Sequence, residues 1–179
     1  MIGYDWASNW GNWGTHGLDY YVCAKLLWDP YRDVTEIVTD YISSMFQEGA
    51  SYMKQYYNFL LEKYNDGQKY SEKDVDKLQY YIDQAKNATK SVKNTKAFDR
   101  IVFIEEGLDY LKHINNLFVI GQDVILGKRD PAEYQQVKTK TYDYLNSTCF
   151  TWSVATVQNF RRLKLSINEI ERQMADKAK

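Results

Sequence analysis

The sequence predicts an all-α protein, a bundle of about six or seven helices behind an aromatic N-terminal loop. Three observations carry this. Apolar residues recur at i, i+3, i+4 and i+7 over most of the chain after residue 17. The breaks between these stretches carry helix caps and stops. No segment alternates apolar and polar residues as a half-buried strand does.

Residues 1–17 are expected to form the loop, and 18–179 the helical domain. Trp6, Trp10 and Trp13, three of the five tryptophans, fall within eight residues. Gly11, Gly14 and Gly17 follow at a spacing of three, and glycine is costly inside a helix. The first helix runs from Leu18 to Trp28 and is apolar nearly all round, which predicts deep burial. Asp29-Pro30 stops it, because the residue before proline is pushed out of the α region. Asp33 caps the second helix, with Glu36 three residues on. Val34, Ile37, Val38, Tyr41, Ile42 and Met45 form its stripe. Gly49 marks a break or a close contact. The third helix carries Tyr52, Met53, Tyr56, Leu60 and Tyr64 and stops near Asn65-Asp66-Gly67.

Ser71 and Asp74 open a fourth helix, with Val75, Leu78, Ile82 and Ala85 on one face. The polar, lysine-rich stretch Asn87 to Lys96 reads as a loop. A long fifth helix spans about Thr95 to Leu126. Its buried side is Phe98, Ile101, Val102, Leu108, Leu111, Phe118 and Ile125, with Gly107 and Gly121 as kinks or close contacts. Asp130, Pro131 and Glu133 start a sixth helix, with the proline at its first position. The last begins near Phe150 and carries Val154, Val157, Phe160, Leu163, Ile167, Ile170 and Met174.

Composition narrows the function classes. The 179 residues carry a net charge of −1, and no basic run tracks a phosphate backbone, so nucleic acid is not an expected partner. No 18-residue apolar stretch is present to span a membrane. The N-terminus lacks the basic region and apolar core of a signal peptide. Cys23 and Cys149 read as buried thiols. Most of the 16 tyrosines read as core or half-core residues whose hydroxyls reach water. His16 and His113 stand in no metal-ligand spacing, so no metal is expected. No phosphate loop or nucleophile elbow appears, and neither a cofactor nor a catalytic residue is assigned.

The candidate site is the loop. Asp5 sits among Tyr4, Trp6 and Trp10. A carboxylate beside aromatic plates suits a sugar, whose hydroxyls bond the acid while its apolar face stacks on an indole. Trp13 and His16 complete the set. From the residues alone, a plug closing the end of the bundle is an equal reading. A lone acid cannot run glycoside hydrolysis, which ordinarily uses a flanking pair.

The block from Asn12 to Pro30, with Tyr20-Tyr21, Ala24-Lys25-Leu26-Leu27-Trp28-Asp29-Pro30 and then Asp33-Val34, resembles a family. It is similar to the end of the catalytic region in bacterial glycoside-hydrolase-like proteins that carry a domain-of-unknown-function label. Their layout is like that of α-glucuronidases and β-hexosaminidases. Gly49 to Tyr57, Asp99-Arg100-Ile101 and Leu108-Asp109-Tyr110-Leu111 extend the resemblance over roughly residues 3–127. It implies that the helix ending in Trp28 is the last outer helix of a (β/α)₈ barrel and that residues 1–17 end that barrel. Active sites sit on loops of this kind. Tyr4, Asp5, Trp6, Trp10 and Trp13 would then line a sugar subsite within reach of His16. The barrel and its paired carboxylates are missing, so the expected role is a C-terminal helical region that supports a saccharide site and is not catalytic alone. The implied partner is an oligosaccharide or polysaccharide and the implied location periplasmic or secreted. The alternative is a stand-alone helical module whose tryptophan loop docks a protein or forms a homodimer.

Overall fold

Helix caps written into the sequence become the joints of the molecule. The computed structural model describes residues 13–65, 70–148 and 157–177. Among them it is all-α, as expected: α1 (Trp13–Trp28), α2 (Val34–Phe46), a 3₁₀ turn (Gln47–Gly49), α3 (Ala50–Asn65), α4 (Glu72–Ser91), α5 (Thr95–Ile125), α6 (Pro131–Thr148) and α7 (Val157–Lys177). They cluster as two compact units, divided within α5 between Leu108 and Asp109.

In the first unit, Asp33 caps α2 by accepting the Glu36 N–H at 3.0 Å. Ile37, Tyr41 and Ile42 are buried as the stripe requires. At the end of α2 the buried residue is Phe46, while Met45 is half-buried and Val34 exposed. The 3₁₀ turn redirects the chain there, with Gln47 at a positive φ of 46°. Gly49 is a close contact: a Cβ would meet Ile101 Cδ1 at 2.9 Å and the Ala85 carbonyl oxygen at 3.2 Å. Met53, Tyr56 and Phe59 of α3, Leu78, Ile82 and Ala85 of α4, and Ala97, Ile101, Ile104 and Leu108 of α5 complete this core. Lys86 Nζ lies 2.8 Å from both Glu105 oxygens, pairing α4 with α5.

Three expectations about this unit need correction. α1 begins at Trp13, so Trp13–Gly17 is helix, not loop. Gly14 and Gly17 lie one turn apart, and both are buried. Glycine costs a helix only about 0.5–1 kcal/mol against alanine, so glycines at a spacing of three do not by themselves prevent one. Second, no side chain of α1 from Leu18 to Trp28 is fully buried, despite the apolar circumference, and Cys23 is a half-buried free thiol. Third, the stretch from Asn87 is helical as far as Ser91. Thr89 is buried and bonds back to the Ala85 and Lys86 carbonyls, and Lys90 lies 5.0 Å over the Phe98 ring. The lysines here occupy the wet side of a helix.

In the second unit, α5 ends in a Schellman motif. Gly127 N donates to Val124 O and Lys128 N to Asp123 O, with Gly127 at φ 72°. Asp130 then accepts the Ala132 N–H at 2.8 Å, and Pro131 opens α6. Leu117, Ile120, Ile125, Tyr134, Leu145, Leu163, Ile167 and Ile170 form the core. Gly121 is a close contact, since a Cβ there would sit 3.0 Å from Ile170 Cγ2. The expected start of the last helix near Phe150, Cys149 and Val154 lie outside the described residues.

Tyr134 departs from the expectation that tyrosine hydroxyls reach water. It is 0% exposed, and its hydroxyl has no hydrogen-bond partner among the described residues. Burial, with the nearby Glu171 charge and Tyr142, pushes the phenol up to about 12. An orphaned buried hydroxyl costs about 1–3 kcal/mol in desolvation. Tyr134→Phe is therefore expected to be neutral or to stabilise by up to about 1 kcal/mol in urea unfolding. A destabilisation beyond that would mean that the hydroxyl has a partner.

Candidate functional site

The aromatic segment leads straight into the first turns of α1, and there the polar chemistry starts. His16 Nδ1 lies 2.9 Å from Asp19 Oδ2, one turn along the helix. The hydrogen bond that the imidazole donates to Asp19 raises its pKa, partial burial works against it, and the carboxylate's charge adds to it. The ring of Tyr20 sits 6.3 Å from that of His16, and burial together with Asp19 pushes its phenol up. His16, Asp19 and Tyr20 thus share one end of α1.

A second cluster lies between α1 and α2. Tyr21 donates its hydroxyl proton to Asp40 Oδ2 at 2.6 Å, and Ser44 Oγ donates to Asp40 Oδ1 at 3.3 Å. Lys25 Nζ lies 3.9 Å from Asp40 and 5.1 Å over the Tyr21 ring. The Tyr21 hydroxyl bond above all, and then Lys25, hold the Asp40 carboxyl below its usual value. Beside it, Thr35, Glu36, Thr39, Asp40 and Ser43 line an open hollow of about 390 Å³ on one side of α2. All five residues come from the one helix, so the hollow is a shallow surface and not an enclosed pocket.

Of the six residues predicted for the site, Tyr4, Asp5, Trp6 and Trp10 lie outside the described residues. Trp13 is the first residue of α1, and its side chain also lies outside them. His16 is placed at the start of α1, its side chain half exposed. Asp19, Tyr20, Tyr21 and Asp40 are additions from the structure. Asp19 reads as a boundary residue if the helix starts at Leu18. A start at Trp13 turns His16 and Asp19 into an i, i+3 pair, and that spacing is the signal. Among the described residues, no three His, Cys, Asp or Glu side chains gather to hold a metal ion. No described helix is long and apolar enough to cross a membrane.

Residues 4–58 match the model of a domain of unknown function, DUF4838. The DUF4838 match takes in the aromatic segment, α1, α2 and the first half of α3. It supports the resemblance to a domain-of-unknown-function family over that stretch. Residues 59–127 of the broader resemblance lie beyond it. The chain matches no curated protein and no solved structure.

Proposed function

We propose that this chain is a helical region of a glycoside-hydrolase-like, carbohydrate-active protein, where it supports or lines a saccharide site without being catalytic by itself. One observation carries the reading. The DUF4838 match covers a segment with three tryptophans that runs directly into the His16–Asp19 pair. Indole faces supply stacking, and the Asp5 and Asp19 carboxylates and the His16 ring supply hydroxyl partners. The ligand is an oligosaccharide or polysaccharide.

The test is calorimetric titration of the full chain with xylo-, cello-, manno- and glucurono-oligosaccharides. At least one series is expected to bind with a Kd of roughly 1 mM or tighter, about −4 kcal/mol. The double variant Trp10→Ala/Trp13→Ala should weaken it about tenfold or more, since removing each stacking indole costs about 1 kcal/mol. Unchanged affinity in the double variant would overturn the subsite. Absence of heat with every series would overturn the saccharide reading.

A further inference from the structure

The corner where α1 turns into α2 breaks the ordinary rule of burial. Leu27 and Trp28 end α1, Tyr31 lies in the turn and Val34 opens α2. Trp28 is 92% exposed and Tyr31 95%, with Leu27 and Val34 about half exposed. Scattered exposed apolar residues need no explanation, but four in an eight-residue stretch, two of them large aromatics almost wholly in water, do. The turn that displays them is tied down. Asp29 N donates to the Lys25 carbonyl, Asp29 Oδ1 accepts the Tyr31 N–H at 3.2 Å, and Arg32 N donates to the Asp29 carbonyl. Asp33 then caps α2. A rigid display lowers the ordering cost of binding.

We propose that this corner is a docking knob for a protein partner that offers a concave apolar pocket with a basic rim. Shape argues for the concavity, since side chains so exposed project outward. Charge argues for the rim: Asp29, Asp33 and Glu36 are exposed carboxylates, set against Arg32 alone between Trp28 and Glu36. Lys25 leans instead toward Asp40. A second copy of this chain is the poorer occupant, because a two-fold contact centred on this corner would bring its carboxylates against their own copies. A saccharide is also poorer. Leu27 and Val34, half of the display, offer a hydroxyl nothing. Trp, Tyr and Arg are the residue types that dominate protein hot spots. The inference stands apart from the saccharide reading, which concerns residues 4–19.

The test uses macrocyclic cups of that chemistry on the full, fluorotryptophan-labelled chain, read by fluorine NMR. Disappearance of one resonance in Trp28→Phe assigns Trp28. The probes are per-aminated β-cyclodextrin, its per-carboxylated counterpart, and linear maltoheptaose. The aminated cup should move the Trp28 resonance with an affinity about tenfold above the carboxylated cup at low salt. The gap should close near 1 M salt, where the Debye length is about 3 Å. Asp29→Asn/Glu36→Gln should narrow the gap, and Tyr31→Ala should weaken both cups. These side chains are exposed, so the variants keep the fold. Equal binding of the two cups overturns the basic rim. Maltoheptaose moving the Trp28 resonance as strongly as the aminated cup overturns the protein partner in favour of a sugar. A dimer in sedimentation that Trp28→Ala dissolves overturns it in favour of a second copy.

Discussion

Replacing Phe46 with alanine is expected to destabilise the first unit by about 3–5 kcal/mol, the usual cost of truncating a buried phenylalanine. Phe46 is fully buried. Its ring stands edge-on to Tyr41 at 5.9 Å and tilted against Tyr57 at 6.2 Å. The cost depends on how far the surroundings can collapse, and here they are pinned. Arg100 Nη1 donates to the Ser44 and Met45 carbonyls at the end of α2. The Asn94 side-chain amide donates to Gln47 Oε1 and Glu48 Oε2. Gly49 leaves no slack against Ile101 and Ala85. A whole domain is stable by only about 5–15 kcal/mol, so a large share of the unit's margin would go. Hydrogen exchange of α2 and α3 amides against urea reads the destabilisation. Leu165→Ala, at an exposed site on α7, should stay within about 0.5 kcal/mol. A Phe46→Ala cost below about 1 kcal/mol would mean that the junction relaxes freely, contrary to its bonding.

The same junction shows where reading a sequence succeeds and fails. Asp33 with Glu36, Ser71 with Asp74, and Asp130 with Pro131 are legible because a cap is a local device. Its donor and acceptor lie three residues apart whatever the tertiary fold does. The buried stripe is legible through Ile37, Tyr41 and Ile42, then fails at Met45 and Phe46. There the 3₁₀ turn resets the direction in which side chains point, and no local signal announces a positive φ at a glutamine. Asn87–Ser91 passes for a loop because a solvated helix face and a loop have the same composition. Thr89, one small residue packed inward, is the only internal clue. α1 fails in the opposite sense. Apolar residues all round its axis predict burial, but the described residues that pack on it come mainly from α2. Within the site, His16 is legible as a residue while its partners are not. The pair exists only once Trp13–Gly17 is helical, and the glycines argue locally against that.

Asp74→Ala should be the second costly change, at about 2–3 kcal/mol. Asp74 Oδ2 accepts from the Ser71 N–H at 2.8 Å, from the Ser71 hydroxyl at 2.7 Å, and lies 2.9 Å from Lys63 Nζ. The Ser71 hydroxyl in turn accepts the Asp74 N–H, closing the capping box at the head of α4. Lys63 and Asp74 are only 15% and 16% exposed, so this is not a screened surface pair. Losing such a cap costs about 1 kcal/mol. Leaving the Ser71 N–H without its acceptor and taking the carboxylate away from Lys63 adds about 1–2 kcal/mol. The effect is tied to pH in a definite direction. Burial alone would raise the Asp74 carboxyl, but the Ser71 N–H, Lys63 and the Ser71 hydroxyl outweigh it and hold the group below its ordinary 3.8. A carboxyl with a depressed folded pKa stabilises above its unfolded pKa and loses that contribution as pH falls through the folded value. The stability gap between the wild type and Asp74→Asn should therefore be flat from about pH 5 to 8 and narrow below about pH 4. Paired urea titrations across that range measure it. A gap that widens in acid would mean that the carboxyl is worth more protonated, which three donors converging on one of its oxygens forbid.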